Sequence, residues 1–333
     1  MKILVTGCAG FIGSVVCEYL VDAGHEVVGI DNFQTSYPEA VHPKIKFYRG
    51  SLESKYFLSK VLEDNNIELV CHLAAESIIG KANNDPAIFF RGNVVYSLNL
   101  FDAMKENGVK NLVLASTGSI YGEPEYTPMD ESHPINPINA YGESKFLVER
   151  MLDWYWKAYD FSCIIFRFYN VGGSTQMNGE RRKDESRLIP IALDAVFNHK
   201  TIPIFGTDYK TPDGTAIRDY VHVRDVASAF LLAVNSLKDG YHIYQEFNLG
   251  SDAGFSVKTI IDKVMQYSRK FTTVYPTDRR PGDPSILIAD STLANELLGW
   301  RARHSSIDEI VYDSVVWYEK NLDKRYVNGT MGV

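Results

Sequence analysis

Short apolar runs of Val, Ile and Leu recur along the first half of the chain, near 2–6, 26–30, 45–48, 68–73, 111–115 and 162–168. Between them lie longer stretches whose apolar residues return every three or four positions, the signature of a helix with one buried face. Strand-sized runs alternating with such helices predict βαβ units and a parallel sheet. Near Val171-Gly-Gly-Ser174 the pattern breaks into loops rich in Gly, Pro and charge, and a second lobe is expected to begin there. The helical stretch 224–236 and the apolar strand Glu246-Phe-Asn-Leu249 are suited to rejoining the sheet. The expected architecture is α/β: a Rossmann-like doubly wound parallel sheet from 1–170, rejoined by 224–250, with a smaller mixed α/β lobe from 171–223 and 251–333. The polar tail Asp323–Val333 reads as loose.

Composition narrows the class. With 333 residues, 45% hydrophobic and 23% charged, the chain exceeds a usual single domain and has ordinary globular proportions. No segment approaches the roughly 20 apolar residues that span a bilayer, so no membrane is expected. The chain opens Met1-Lys-Ile-Leu-Val-Thr6 straight into a strand, which leaves no room for a signal segment. Cys8, Cys17, Cys71 and Cys163 lack CxxC spacing and lie in or beside apolar runs, as reduced core thiols of a cytoplasmic protein would. A net charge of −8 disfavours nucleic acid and requires that any anionic ligand be met by locally placed arginines. The run Glu180-Arg-Arg-Lys-Asp-Glu185 is one candidate, but its mixed signs read as a solvated loop. Cys71 and His72 are neighbours on a presumed strand and point to opposite faces, and no other ligand-like spacing appears, so no metal is expected.

In Val5-Thr-Gly7-Cys-Ala-Gly10-Phe-Ile-Gly13-Ser, three glycines lie between the first strand and an amphipathic helix. Glycine permits the tight turn, close approach of backbone to a pyrophosphate, and close helix-to-strand packing. The helix N-terminus then offers free N–H groups to phosphates. Asp31 ends the next strand, eighteen residues beyond Gly13. Its carboxylate accepts hydrogen bonds from ribose hydroxyls and repels a 2′-phosphate, which predicts NAD rather than NADP.

Tyr141 and Lys145 stand four apart in Asn139-Ala-Tyr-Gly-Glu-Ser-Lys145, a stretch that continues as a helix. That spacing puts phenol and ammonium on one face, about 6 Å apart along the axis. A nearby cation lowers the pKa of a phenol, making it a usable proton acceptor near neutral pH. Asn111-Leu-Val-Leu-Ala-Ser-Thr117-Gly-Ser119 reads as a strand running into a polar turn at the carboxyl edge of the sheet. A hydroxyl there, Ser116 or Thr117, bridges a substrate oxygen to the phenol. The constellation points to redox chemistry at an alcohol carbon.

With these residues in view, the chain resembles the extended short-chain dehydrogenase/reductase family, and within it the UDP-glucose 4-epimerases. The resemblance runs through Gly7-x-x-Gly10-Phe-Ile-Gly13, Ser116-Thr117-x-x-x-Tyr121-Gly122, Tyr141-x-x-x-Lys145, Arg167-Phe-Tyr-Asn170-Val, Phe205-Gly-Thr-Asp-Tyr, Thr211-Pro-Asp-Gly-Thr-Ala-Ile-Arg218-Asp-Tyr-Val-His-Val223 and Arg279-Arg280-Pro-Gly-Asp283. It implies Thr117, Tyr141 and Lys145 as the catalytic group, and a second lobe that binds substrate. It implies cofactor contacts from Phe11, Ile12, Asp31, Asn32, Ser51, Leu52, Leu73, Ala74, Ala75, Ser77, Asn93 and Tyr169. It implies that Asn170, Arg187, Leu188, Phe205, Arg218, Arg280, Asp283 and Leu287 hold a UDP-hexose. The chain departs from the family pattern at Ser51, commonly an aspartate, at Ser77, where several epimerases carry a lysine, and at Phe168, commonly a tyrosine. Arg187 stands where Asn or His is common. Leu287 matches a gate position that is a tyrosine in some epimerases, and the smaller side chain leaves room for an N-acetyl group at C2.

The resemblance also implies a homodimer, through the helices near 92–106 and 141–158. The apolar stripe of Phe146, Met151, Trp154 and Tyr155 suits either that interface or packing on the sheet. Rival readings on the same scaffold are a 4,6-dehydratase, a UDP-glucuronate decarboxylase or a non-catalytic NAD-binding sensor. Dehydratases of this kind follow the catalytic threonine with Asp-Glu, where this chain has Gly118 and Ser119. A sensor has no need of Thr117, Tyr141 and Lys145 together.

Overall fold

Thirteen strands and their flanking helices are described in a computed structural model covering residues 1–78, 85–183, 185–238, 242–280 and 283–322. The expected loose tail, Asp323–Val333, lies outside the described residues. Strands β1 (Lys2–Thr6), β2 (Glu26–Asp31), β3 (Lys46–Arg49), β4 (Leu69–His72), β5 (Asn111–Thr117) and β6 (Ser162–Phe168) fall on the six apolar runs of the first half. Beyond them come β7 (Asn170–Gly172), β8 (Ile202–Phe205) and β9 (Ile217–His222), then β10 (Tyr244–Leu249). The chain closes with β11 (Gly254–Ser256), β12 (Val274–Thr277) and β13 (Ile286–Leu287).

The central sheet has seven strands in the order β10-β6-β5-β4-β1-β2-β3, every neighbouring pair parallel. Parallel sheets survive only with both faces covered. Here Ile3, Val5, Val113 and Phe166 pack beneath the Phe11–Asp22 and Val223–Lys238 helices. Leu4, Val70, Leu112 and Ile165, one position out of phase, pack under the Lys55–Asn65, Tyr96–Glu106 and Ala140–Tyr159 helices. All four cysteines are free and buried, and burial pushes each thiol up and away from reactivity.

Chain order reverses between β1 and β4, so the carboxyl ends of these two strands flank the crevice where such sheets bind ligands. Next to it, β9 pairs with β7, β11 and β13, and β8 pairs with β12, forming the smaller mixed part of the fold. Its own core is built around Ile189, Leu193, Ile260, Val264, Ile310 and Val315.

The stripe on the Ala140–Tyr159 helix splits between two fates. Tyr155 is buried against Phe101 and Phe161, Met151 packs on the same cluster, and Phe146 packs beside Tyr121. Trp154 is 64% exposed, as are Val95 (47%) and Leu98 (39%) on the adjoining helical segment.

Candidate functional site

One large cavity of about 190 Å³ opens at the crevice between β1 and β4. Its walls carry Gly7, Gly10, Phe11, Ile12, Gly13, Asp31, Asn32, Ser51, Leu52, Leu73, Ala74, Ala75, Ser77, Tyr141, Lys145 and Arg187 among the residues singled out in the sequence. Asn93, Thr117 and Tyr169 are not on those walls.

The glycine-rich turn is fixed by contact distances. Gly7 has φ +73°, and a Cβ there would sit 2.8 Å from the Ala74 backbone N. A Cβ on Gly13 would collide with the Gly7 carbonyl oxygen, so strand and helix meet backbone to backbone. The Phe11–Asp22 helix has Gly10 as its N-cap and no side-chain cap, leaving its first N–H groups to the cavity. Asp31 accepts hydrogen bonds from Ala9 N (3.1 Å), Phe33 N (2.8 Å) and Ser36 Oγ (2.8 Å). Its carboxylate thereby ties the turn to the loop after β2 and keeps lone-pair capacity for a further donor. Backbone donors at a helix start, an acidic strand end and an apolar wall at Leu52 and Leu73 fit a dinucleotide with its diphosphate over the helix.

Tyr141 reaches the cavity through its helix start. Asn139 Oδ1 accepts from Gly142 N at 2.8 Å and caps the helix. A Cβ on Gly142 would lie 2.5 Å from the Ser119 carbonyl oxygen, so glycine lets the helix end press onto the turn after β5. Thr117 in that turn accepts from Ser119 N at 3.1 Å and hydrogen-bonds the Tyr141 phenol. Burial raises the phenol's pKa, while Thr117 and the guanidinium groups of Arg187 and Arg182 lower it. Burial wins and the phenol is raised, against the sequence-based expectation that Lys145 lowers it. Spacing fixes the face of a helix but not its desolvation, nor the arginines brought in by another segment.

Lys145 is buried, and burial lowers its pKa to about 8 against the opposing pull of Glu149, one turn further along the helix. Glu149 accepts from Arg167 Nη2 (2.7 Å) and Nε (3.2 Å) and from Ser116 Oγ. Arg167 Nη1 donates to the Tyr121 hydroxyl (3.1 Å), which donates to Asn248 Oδ1 (2.8 Å). A buried polar network therefore backs the β5 end and the helix that carries Tyr141. Ser116, a candidate bridge to substrate, spends its hydroxyl on Glu149 although it also borders the cavity.

Asn93, in a π-helical turn over Phe90–Val95, acts as a clamp. Its amide accepts from Glu76 N (2.8 Å) and donates to Glu76 O (3.1 Å) and Ser144 Oγ (2.9 Å). It thus joins the segment after β4 to the Tyr141 helix. Tyr169 packs its ring where a Gly118 Cβ would be, 2.6 Å from the ring carbon. His72, buried between Thr6 Oγ1 (2.8 Å) and Ser97 Oγ (2.9 Å), is held neutral, its pKa lowered to about 3 by burial and by Lys145.

A second cluster gathers five of the remaining residues. Arg280 lies 4.0 Å over the Phe205 ring, Arg218 pairs with Asp283, and Leu287 stands beside Arg218 in the β13–β9 register. Arg218 also donates to the Ile217 (2.7 Å) and Pro284 (2.7 Å) carbonyls, which aims its guanidinium along the strand edge. Asn170 begins β7, and Leu188 opens the Leu188–Phe197 helix directly after Arg187.

The segment from Glu180 corrects the sequence reading. It is not a solvated loop: Arg181, Arg182 and Arg187 line the cavity, Glu180 pairs with Arg187, and burial raises the Glu180 carboxyl to about 7. Lys183 N donates to Thr35 O at 3.0 Å, and Arg181 stacks 4.0 Å over the Tyr37 ring. Gln34, Thr35, Ser36 and Glu76 also line the cavity without having been singled out. For the first three, the signal was proximity to Asp31.

The model of the "NAD dependent epimerase/dehydratase family" matches residues 3–250. A UDP-glucose 4-epimerase of Corynebacterium glutamicum is 40% identical over 316 residues, 94% of each chain. One of Streptococcus mutans is 39% identical over 333 residues, 98% of this chain and 100% of that one. The crystal structure of UDP-glucose 4-epimerase from Brucella ovis in complex with NAD superposes with a TM-score of 0.92 at 35% identity, covering 95% of this chain and 98% of that one. A dinucleotide crevice at the switch point, a Tyr-x-x-x-Lys helix on its wall and likeness along almost the whole chain agree: the protein belongs to the NAD dependent epimerase/dehydratase family.

Proposed function

We propose that this protein is an NAD-dependent nucleotide-sugar 4-epimerase that interconverts UDP-glucose and UDP-galactose. The reading rests on one observation above all: the Tyr141 phenol, hydrogen-bonded to Thr117, borders the same cavity as the glycine-rich turn. The chemistry that NAD supplies when bound is reversible hydride acceptance at C4 of the hexose, giving a 4-keto sugar. Tyr141 takes the proton of the 4-hydroxyl and gives it back when the keto sugar is reduced on its other face, inverting C4. Thr117 steadies the charged form of the phenol by hydrogen bonding, Arg187 and Arg182 supply the positive field, and Lys145, on the wall of the same cavity, holds the nicotinamide ribose. Arg218 and Arg280 hold the sugar nucleotide's diphosphate by forked hydrogen bonds, Asp283 its ribose and Phe205 its uracil. Anchoring the nucleotide leaves the hexose free to turn over between the two half-reactions.

Two lobes follow from this reading, 1–170 with 224–250 for the coenzyme and 171–223 with 251–333 for substrate. A homodimer through the 92–106 and 141–158 helices would cover the exposed Trp154, Val95 and Leu98. No described helix is long and apolar enough to cross a membrane, and a cytoplasmic location suits a chain whose four cysteines are free. Elimination of water across C5 and C6 needs an acid beside Thr117, and at Gly118 the Tyr169 ring leaves no space for a side chain.

The test is incubation of the protein with UDP-glucose, UDP-galactose and their N-acetylamino counterparts, followed by NMR of the anomeric protons. Either C4 epimer should give the same mixture. Accumulation of a 4-keto-6-deoxy sugar would replace this reading with a dehydratase.

A further inference from the structure

We propose that Arg182 is a diphosphate-binding residue of the coenzyme cavity, delivered to the dinucleotide site by the segment after β7 and not by the glycine-rich turn. The inference rests on the NAD reading above. Arg182 Nη2 donates to Ser77 Oγ at 3.2 Å, whereas Nη1 is buried with no hydrogen-bond partner among the described residues. A guanidinium buried with an unmet N–H is costly unless a ligand completes it. The neighbouring carboxylates are engaged elsewhere: Glu180 accepts from Arg187, and Glu185 accepts from Ser186 N and Arg187 N, both at 2.9 Å. Burial and Arg187 lower the Arg182 pKa against the pull of Glu180, Glu185 and Tyr141.

The position of this unmet cation is informative. Arg182 and the uncapped start of the Phe11–Asp22 helix line the same cavity, and both attract anions. Asp31, Tyr141 and Lys145 line that cavity too, so an anionic group held by Arg182 and the helix start belongs to the ligand of the dinucleotide crevice. The segment that carries Arg182 is fixed rather than draped. Lys183 N donates to Thr35 O at 3.0 Å, Lys183 Nζ donates to Phe33 O, and Arg181 covers Tyr37, all on the loop held by Asp31. The guanidinium is therefore positioned before ligand arrives, which keeps the ordering cost low.

A diphosphate also occurs in the sugar nucleotide, and the experiment separates the two sources. NAD and UDP are titrated separately by calorimetry into the full chain, as wild type, R182Q and the double variant R182Q/S77K. Glutamine keeps a polar, hydrogen-bonding side chain, shorter than arginine, and the charge is lost. R182Q should lose NAD affinity by about 10- to 100-fold, the range of hydrogen bonds to a charged group, while UDP affinity stays within about threefold. Ser77 lies within hydrogen-bond reach of Arg182, so a lysine there restores a cation at the same place, and R182Q/S77K should regain at least about tenfold in NAD affinity. Equal NAD affinity for wild type and R182Q overturns the inference, as does a loss confined to UDP. A loss that S77K leaves unrepaired overturns it too, since Arg182 would then act only by holding its segment. Wild-type protein that binds no NAD removes the coenzyme reading itself.

Discussion

Glu149→Gln tests whether the buried network beneath the site does more than fill space. Glu149 and Arg167 are 2% and 3% exposed, and their forked contact at 2.7 and 3.2 Å is completed by Ser116. Removing the carboxylate charge leaves Arg167 with Glu246 at 3.7 Å as its remaining ion-pair partner. Breaking a buried pair from one side costs about 3–5 kcal/mol because the other charge stays buried. The urea midpoint should fall accordingly. The same change acts on Lys145, whose pKa burial has already lowered to about 8 and which Glu149 alone is seen to raise. Without that charge the pKa drops further, so the alkaline limb of the epimerase pH–rate profile should move to lower pH. The stability linkage runs the other way. Between about 8 and the ordinary lysine value of 10.5 the unfolded chain binds the proton that the folded one releases, so this group's contribution to stability grows as pH rises through that window. In Glu149→Gln the window should open at lower pH. A variant with the wild-type urea midpoint and an unshifted alkaline limb would refute both the network and the charge relation.

Three further changes probe the rest of the site. Gly13→Ala should abolish NAD binding and cost about 1–3 kcal/mol of stability, because its Cβ meets the Gly7 carbonyl with no flexible atom to yield; calorimetry with NAD and urea unfolding check this. Arg218→Ala removes the partner of Asp283 and should raise KM for UDP-galactose by about 10-fold or more while leaving NAD affinity unchanged. Tyr141→Phe should lower kcat by at least about 100-fold with NAD affinity within about threefold, and near-normal turnover would dismiss the phenol as the proton carrier.

The sheet was legible because its central strands are covered on both faces and must be apolar throughout, so each run marks a strand whatever its neighbours. The return of β10, an edge strand, was legible from Phe247 and Leu249, both buried. Most of the cavity was legible as well, since the glycines, Asp31 and the Tyr-x-x-x-Lys pair each sit where local geometry decides their use. What escaped depends on contacts between residues far apart in the chain. Nothing in Glu180-Arg-Arg-Lys shows that Lys183 will bond the Thr35 carbonyl and seat Arg182 in the crevice, so mixed charge read as solvation. The clamp that the Asn93 amide makes on the Glu76 backbone joins positions seventeen residues apart, and no local pattern announces it. The effect on Tyr141 was misjudged in direction as well as source, because burial raises the phenol and spacing along a helix carries no information about burial.

The central claim is that C4 of the hexose is oxidised and then reduced again without its hydrogen leaving the site. UDP-galactose deuterated at C4, turned over by the protein in ordinary water, tests it directly. UDP-glucose that keeps the deuterium at C4 is the predicted product, read by NMR at that carbon. Product with hydrogen from water at C4 would contradict the account, since inversion would then proceed by proton exchange with solvent.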